Sequence, residues 1–204
     1  MIQNPDLSHE KNLWTYYKRI AGLDEAGRGA LAGPVAVGAV ILPGDGPLLL
    51  QALAGVRDSK QMTPLGRERL APRIKETALA WSVAFASAEE IDSLGIVRAT
   101  RTAAIRALNG LSLAPDYLLT DFRLELPQLD ISQTSLVKGD AHCLSIACAS
   151  VLAKTARDAL MRELDSQYPG YGLGKHKGYG TQAHRSAMKR LGLSEIHRQT
   201  FHVK

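Results

Sequence analysis

Two apolar segments joined by a glycine-rich turn constrain most strongly how this chain folds. The first, at residues 18–24, ends on Asp24 with Glu25 directly behind it, and the tripeptide GRG follows at residues 27–29. The second, PVAVGAVIL at residues 34–42, is apolar and rich in valine. Such runs predict strands, and the short connection predicts an antiparallel hairpin. The hairpin would hold two adjacent carboxylates beside its turn.

Adjacent carboxylates at the end of a buried strand repel each other and resist the loss of water. A divalent cation offsets both effects, because hard cations prefer carboxylate oxygens. The glycines that follow allow a backbone to approach a ligand closely, and their N–H groups can face an anion. On this segment alone, a solvated charged turn remains the alternative to a metal site next to a phosphate site.

The composition suits a globular protein of one domain with at most a small appendage. The chain has 204 residues, of which 45% are hydrophobic and 22% are charged, and these values are ordinary for a globular protein. Its formal net charge is +5. That excess of base is compatible with a polyanionic partner and equally with a solvated basic surface.

No segment suggests a membrane or a secreted protein. No apolar run approaches the ~20 residues that a membrane helix needs, and the first residues lack the pattern of a secretory signal. Cys143 and Cys148 match no zinc or disulfide spacing, so we expect buried free thiols in a reducing compartment. The sequence therefore predicts a cytoplasmic protein, which we expect to be a monomer.

Strand and helix patterns alternate along the rest of the chain. Further strands are predicted at residues 81–86, 116–120 and 134–138. Helices are predicted at residues 63–78, 88–93, 97–108 and 141–166, with basic helical character near the C-terminus. This order predicts an α/β fold with a mixed sheet flanked by helices.

Acidic residues follow three of the predicted strands. They are Asp24 with Glu25, Asp121, and Asp140. Ligands of α/β folds gather at the carboxyl ends of strands, so four carboxylates at one edge predict a site for Mg²⁺ or Mn²⁺ and not for Zn²⁺. Two such ions ~4 Å apart suit in-line phosphoryl displacement. The sequence contains no evident Ser–His–Asp order or P-loop, which disfavours acyl transfer and nucleoside-triphosphate hydrolysis.

Five segments resemble the ribonuclease HII family, the type 2 ribonucleases H. They are GLDEAGRG, DSK, the apolar strand into Asp121, KGDAHCLSIACASVLAKTARD and HKGYGT. The resemblance implies a ribonuclease H-like fold with a small C-terminal helical region, and the five predicted strands would form its mixed sheet. It divides the chain into an N-terminal arm at residues 1–17, a catalytic domain at 18–166 and the helical region at 167–204.

The resemblance also implies a reaction. Members of this family hydrolyse the phosphodiester on the 5′ side of a ribonucleotide, in RNA–DNA hybrids or in duplex DNA, and leave a 5′-phosphate and a 3′-hydroxyl. By this resemblance Asp24, Glu25, Asp121 and Asp140 are catalytic acids that bind Mg²⁺ or Mn²⁺, with two ions during catalysis. The loop of Gly27, Arg28 and Gly29 would read the ribose 2′-hydroxyl, and Tyr179 would pack on the sugar.

Other residues have two open interpretations. Lys60, Ser150 and Lys154 would contact phosphates, although packing or solvent exposure explains each of them equally well. The basic C-terminal residues would run along phosphates or form a solvated face; they are His184, Arg185, Lys189, Arg190, His197, Arg198 and Lys204. Phe122 and Arg123 replace the small residues that many relatives have after the third acid, which affects the shape of that loop.

Two other functions compete with the nuclease. The first is a nucleic-acid-binding protein with an inactive site, against which the presence of all four acids argues. The second is a metal-dependent phosphomonoesterase for small molecules, which would leave the basic C-terminal region without a purpose. Cleavage of a hybrid in Mg²⁺ separates the first of these from the nuclease, and release of phosphate from small esters identifies the second.

Overall fold

The computed structural model describes residues 4–44, 46–121 and 124–201. Within these ranges one mixed sheet contains β1 Ile20–Ala26, β2 Val35–Ile41, β3 Ala80–Ala86, β4 Tyr117–Asp121 and β5 Gln133–Leu136. The spatial order of the strands is β3-β2-β1-β4-β5. The predicted five-stranded mixed sheet is therefore confirmed. The predictions for Phe122, Arg123 and Lys204 fall outside the described residues.

Helices pack on both faces of this sheet. They are α1 Ser8–Trp14, α2 Gly46–Ala52, α3 Pro64–Thr77, α4 Ala88–Leu94, α5 Ile96–Asn109, α6 Gly139–His142, α7 Leu144–Gln167, α8 Leu173–His176 and α9 Gln182–Leu191. Val40 of β2 joins the hydrophobic cluster under α3 and α7, whereas Ala39 and Ile41 join the cluster under α5. Burial of both faces explains the nearly continuous apolar run of β2. None of the helices in the described ranges is long and apolar enough to cross a membrane.

The predicted hairpin is present, but its first strand is shifted two residues toward the C-terminus, to Ile20–Ala26 in place of residues 18–24. β1 and β2 pair antiparallel, with Asp24 opposite Gly38 and Ala26 opposite Ala36. The ladder of hydrogen bonds thus continues past both acids, and the expected strand end at residue 24 was wrong by two residues. Because both acids lie within the sheet and not in its turn, their backbone positions are fixed.

The parallel pairing of β1 with β4 brings two predicted acids together. Leu23 lies opposite Thr120, so the next residues, Asp24 and Asp121, are neighbours across the two strands. Side chains at matched positions of parallel strands point to the same face of a sheet. The register therefore places these carboxylates side by side.

Two strand glycines allow α7 to lie directly on the sheet. A Cβ atom at Gly22 would stand 2.3 Å from the carbonyl carbon of Ser145, and one at Gly38 would stand 2.4 Å from the carbonyl oxygen of Ala149. No side chain fits in that space. Since Gly38 is opposite Asp24, the close approach sets the next residue of the helix, Ser150, against the acid.

The predicted helix at residues 141–166 is in fact two helices, α6 and α7. Cys143 separates them in an extended conformation (φ −117°, ψ 122°) and forms a bridge with Asp6 of the N-terminal arm. Glu10 Oε1 accepts hydrogen bonds from the Ser145 N–H at 2.8 Å and from the Cys143 thiol at 3.1 Å. Glu10 thus supplies the acceptor that the first turn of α7 needs. Cys143 and Cys148 are both buried and free, as predicted.

Candidate active site

The four predicted acids converge at one edge of the sheet. Asp24 and Glu25 come from β1, Asp121 ends β4, and Asp140 lies in α6. Asp24 is buried, and burial together with the charges of the other three acids raises its pKa well above the ordinary value. Such mutual interaction requires the four carboxylates to lie close together.

Two carboxylate oxygens of this cluster lack a partner. Among the described residues, Asp24 Oδ2 and Glu25 Oε2 are buried and accept no hydrogen bond. Two other acceptors of the cluster are used: the Ser150 hydroxyl donates to Asp24, and the Gly139 N–H donates to Asp121 Oδ1 at 2.9 Å. A buried unpaired carboxylate oxygen is costly. A hard divalent cation would satisfy both oxygens, so the donors fit such an ion.

The four carboxylates do not form a closed set of metal ligands. In the described ranges no group of three or more His, Cys, Asp or Glu side chains has the geometry of a metal site. Two of the acids instead lie next to cationic side chains. Lys60 Nζ lies 3.7 Å from Asp140 Oδ2, and Arg28 Nη1 lies 3.6 Å from Glu25 Oε1.

A fifth carboxylate, which sequence reasoning left unassigned, lies next to Asp140. Burial and then the neighbouring Asp58 raise the pKa of Asp140 to about 6. Asp58 Oδ1 also accepts from the Lys60 N–H at 2.9 Å and caps a single 3₁₀ turn, Ser59–Gln61. The position of Asp58 in the segment DSK was the sequence signal that could have identified it as a site residue. Asp58 therefore orients the loop that brings Lys60 to the acids.

A cleft of about 570 Å³ opens beside the cluster. Its lining includes most of the predicted substrate contacts, namely Gly27, Arg28, Gly29, Lys60, Lys154 and Tyr179. These residues are up to 152 positions apart in sequence, yet the fold brings them to one cavity. Ser150 is placed differently. It is buried beneath the acids, where its hydroxyl lies 2.8 Å from that of Ser59.

The two glycines of the loop differ in the space around their Cβ positions. Gly27 has φ +90°, and a Cβ atom there would lie 1.8 Å from Arg157 Nε. Gly29 has no atom within 4 Å of the Cβ position. The first glycine is therefore required by packing, whereas the second presents bare backbone to open space.

Tyr179 also lines the cleft, and two cations lie near its ring. Lys154 Nζ lies 5.4 Å and Arg157 Cζ lies 5.5 Å from the centroid of its ring. Lys154 is held by Asp158 at 2.7 Å, and Asp158 also accepts from Arg67 at 2.9 Å. Cations near an aromatic face hold the ring in place.

Comparison with known proteins decides the family. A family model described as ribonuclease HII matches residues 21–204. The chain belongs to the ribonuclease HII family. It is accordingly a ribonuclease H, a hydrolase that cleaves nucleic acid at ribonucleotides.

Individual members of the ribonuclease HII family agree with this assignment. A curated relative from Dehalococcoides mccartyi, ribonuclease HII, is 50% identical and covers 97% of this chain and 92% of its own. The crystal structure of ribonuclease H2 from Pyrococcus horikoshii OT3 is 26% identical, has a TM-score of 0.75, and covers 90% of this chain and 93% of its own. Bst-RNase HIII, solved in complex with Mn²⁺, is 18% identical with a TM-score of 0.63 over 90% of this chain and 67% of its own, and shares the fold.

The basic C-terminal region of this ribonuclease HII chain is not the continuous basic surface that one reading of the sequence predicted. His184, His197 and Arg198 are buried, with exposed fractions of 0%, 1% and 2%. They cannot contact a phosphate from these positions. A basic stretch of sequence looks the same whether its side chains are solvated or buried, so only the tertiary contacts reveal the difference.

We expect the buried histidines to make folding sensitive to acid. Burial lowers the pKa of His184 to about 4, and it also lowers that of His197. Their unfolded pKa is ~6.5, so the unfolded chain binds more protons as pH falls from 6.5 towards 4. The stability that the neutral histidines contribute is thus present above pH ~6.5 and is lost below it.

Thermal unfolding at pH 7, 6 and 5 measures this effect in the wild type and in His184→Phe. The ring of His184 stacks on that of His176 and lies against that of His197, so Phe at position 184 keeps the ring packing. The acids with raised pKa have the opposite effect on stability as pH falls, but both proteins contain them. The difference in Tm between the wild type and the variant therefore reports the contribution of His184. The wild type should lose more of its Tm between pH 7 and 5 than the variant does, and equal losses would contradict the assignment.

Proposed function

We propose that this chain hydrolyses the phosphodiester on the 5′ side of a ribonucleotide in RNA–DNA hybrids and in duplex DNA, leaving a 5′-phosphate and a 3′-hydroxyl. Two divalent ions, Mg²⁺ or Mn²⁺, would be held by Asp24, Glu25, Asp121 and Asp140. The observation that carries the proposal is the pair of unpaired, buried carboxylate oxygens beside a cleft lined by the glycine loop and Tyr179. The biological role that follows is removal of ribonucleotides from DNA.

The acids and their neighbours have distinct tasks in this reaction. Ions bound at the four carboxylates would supply an activated water and neutralise the charge that develops on the phosphate. Ser150 keeps Asp24 oriented by donating to its carboxylate. Lys60, whose side chain is 72% exposed, is free to turn from Asp140 towards a phosphate when an ion takes its place.

The loop and the tyrosine would select the ribonucleotide. The 2′-hydroxyl both donates and accepts hydrogen bonds, and it is the group that distinguishes RNA from DNA at one position. Backbone groups at Gly29 can approach it because no side chain intervenes. The ring of Tyr179, held by Lys154 and Arg157, offers a flat surface for the sugar. Lys154 and Arg28 provide positive charge for the adjacent phosphates.

A labelled DNA duplex with one internal ribonucleotide tests the proposal. Incision should require Mg²⁺ or Mn²⁺ and should map to the 5′ side of the ribonucleotide. Cleavage of long hybrids without incision of this duplex would refute the proposed role of Gly29 and Tyr179 in recognising a single ribonucleotide. Binding without any cleavage would favour an inactive-site binder, and phosphate release from small esters would favour a phosphomonoesterase.

Gly29→Ala tests the loop itself. Its methyl group would meet no protein atom, so the free energy of unfolding should change by less than about 0.5 kcal/mol. The same methyl group would occupy the space of the ribose, and incision at a single ribonucleotide should fall by about 100-fold. Gly44→Ala is the matched control, because its Cβ position is equally open and lies outside the cleft. Equal activity of the two variants would remove Gly29 from the site.

A further inference from the structure

The segment at residues 196–198 lies alongside the turn that carries the glycine loop. The Gly33 N–H donates to the Ile196 carbonyl at 2.8 Å, and the Arg198 N–H donates to the Leu31 carbonyl at 2.9 Å. Ala32 and His197 form an antiparallel bridge between them. The C-terminal part of the chain is therefore joined by backbone hydrogen bonds to the turn of the first hairpin.

The side chain of Arg198 connects the two ends of that turn. Nη1 donates to the Arg28 carbonyl at 2.8 Å, and Nη2 donates to the carbonyls of Gly27 at 2.8 Å and Gly33 at 2.9 Å. In a trans peptide the C=O and the following N–H point in opposite directions. Because the carbonyls of residues 27 and 28 point to Arg198, the N–H groups of Arg28 and Gly29 point away from it. One guanidinium thus sets the direction of the amides offered to a ligand.

The burial of Arg198 is difficult to explain by stability alone. Its hydrogen-bond partners named above are neutral carbonyls, and burial followed by the charge of Arg157 lowers its pKa to about 9. Arg157 is fully buried in the same way, donating to the carbonyls of Pro34, Ala32 and Lys177. Burying two cations is costly. Their charge beneath the loop favours an anion in front of it, which is where a nucleotide phosphate would lie.

The neighbouring residue, His197, is connected to Tyr179 through His184. His197 Nδ1 accepts from the Ser194 N–H at 3.0 Å, so its proton is on Nε2 and is donated to His184 Nε2 at 3.2 Å. His184 then carries its own proton on Nδ1 and donates it to the Tyr179 carbonyl at 3.1 Å. Each bond determines the tautomer of the next ring. The chain of hydrogen bonds ends on the backbone of Tyr179.

We propose that Arg198 and His197 are positioning residues for recognition of the ribonucleotide, Arg198 through the glycine loop and His197 through His184 and Tyr179. Two consecutive residues thereby hold both the glycine loop and Tyr179 in place. This inference rests on the proposed roles of the loop and of Tyr179 in the reaction above.

Arg198→Lys tests the proposal. The lysine keeps the charge, but its single ammonium cannot replace the planar fork that contacts three carbonyls. The kcat for incision at one ribonucleotide should fall by about 100-fold, with a smaller change in KM. The rise in Tm on adding Mn²⁺ should be unchanged, because the acids are untouched. Arg198→Met, which also removes the charge, should have a lower kcat than Arg198→Lys.

The matched control is Leu173→Ala, which removes a fully buried side chain of the same region. It should lower Tm at least as much as Arg198→Lys does, yet retain kcat at temperatures where it is folded. Equal loss of kcat in both variants, or wild-type kcat in folded Arg198→Lys, would overturn the proposal. If Gly29→Ala is impaired and Arg198→Lys is not, this inference alone fails; if Gly29→Ala is also unimpaired, the proposed function of the loop fails.

His184→Phe provides a second test that does not depend on the folding of an Arg198 variant. Phenylalanine keeps a ring in the stack with His176 and removes the hydrogen bond to the Tyr179 carbonyl. Its kcat should fall by about tenfold, because a small displacement of a positioning group costs that much or more. A folded His184→Phe with wild-type kcat would show that the histidine chain does not position Tyr179.

Discussion

Asp24→Asn should reduce cleavage by at least about a thousandfold, since metal ligation stabilises the transition state by several kcal/mol. The same change should leave thermal stability equal to or above that of the wild type when no metal is added. Asp24 is buried with an unpaired oxygen, and its raised pKa shows that the folded state disfavours its charge. An acid of this kind destabilises the fold at neutral pH, and the amide removes that charge without changing the volume.

The measurement combines a cleavage assay with thermal unfolding in the presence and absence of Mn²⁺. An ion that binds only the folded wild type raises its Tm, and this rise should be lost in Asp24→Asn. Asp130→Asn is the matched control, because Asp130 is an exposed acid in a bend. Near wild-type turnover of purified Asp24→Asn would refute the metal assignment.

Gly27→Ala should destabilise the protein by roughly 3 to 5 kcal/mol, the combined cost of a strained backbone and a steric clash. The backbone at Gly27 has φ +90°, and the new Cβ atom would overlap Arg157, which is buried and anchored by three carbonyls. Neither group can move without breaking hydrogen bonds. The midpoint of urea unfolding measures the loss.

Gly29→Ala is the natural comparison for this variant, since the same substitution two residues later meets open space. The two glycines should therefore separate stability from activity, with Gly27→Ala unfolding easily and Gly29→Ala folding normally but cleaving poorly. If the free energy of unfolding fell by less than about 1 kcal/mol in Gly27→Ala, the turn would tolerate a side chain. Arg157 would then not constrain the backbone of the turn.

The local pattern of the chain predicts most of its elements. The helix α3 begins where a threonine cap and a proline indicate it should, with Thr63 accepting from the Gly66 N–H. The predicted start of the long helix failed because Glu10, more than 130 positions earlier, caps α7 at a break that no local pattern reveals. Likewise β1 extends beyond its predicted end because β2 continues to pair with it. Long-range contacts account for both errors.

The candidate site shows the same contrast between local sequence pattern and long-range contacts. The acids were predicted from residue type and from their positions after strands, and the fold brings them together. Arg198 was grouped with surface cations because sequence shows its charge and not its surroundings. Its partners, the carbonyls of the glycine loop, are about 170 positions away. No spacing rule connects such residues, so their contact is found only in the folded structure.

The parallel pairing of β1 with β4 has a consequence for the order of folding. The Arg19 N–H donates to Asp116, and these residues are 97 positions apart, so closing this part of the chain is slow compared with forming the β1–β2 hairpin. Until β4 docks, Asp24 and Asp121 remain hydrated and far apart. Their repulsion therefore arises only when the sheet is completed, and the nascent hairpin can collapse before the charges meet. The proposed cation site would thus be a property of the finished fold and absent from its parts.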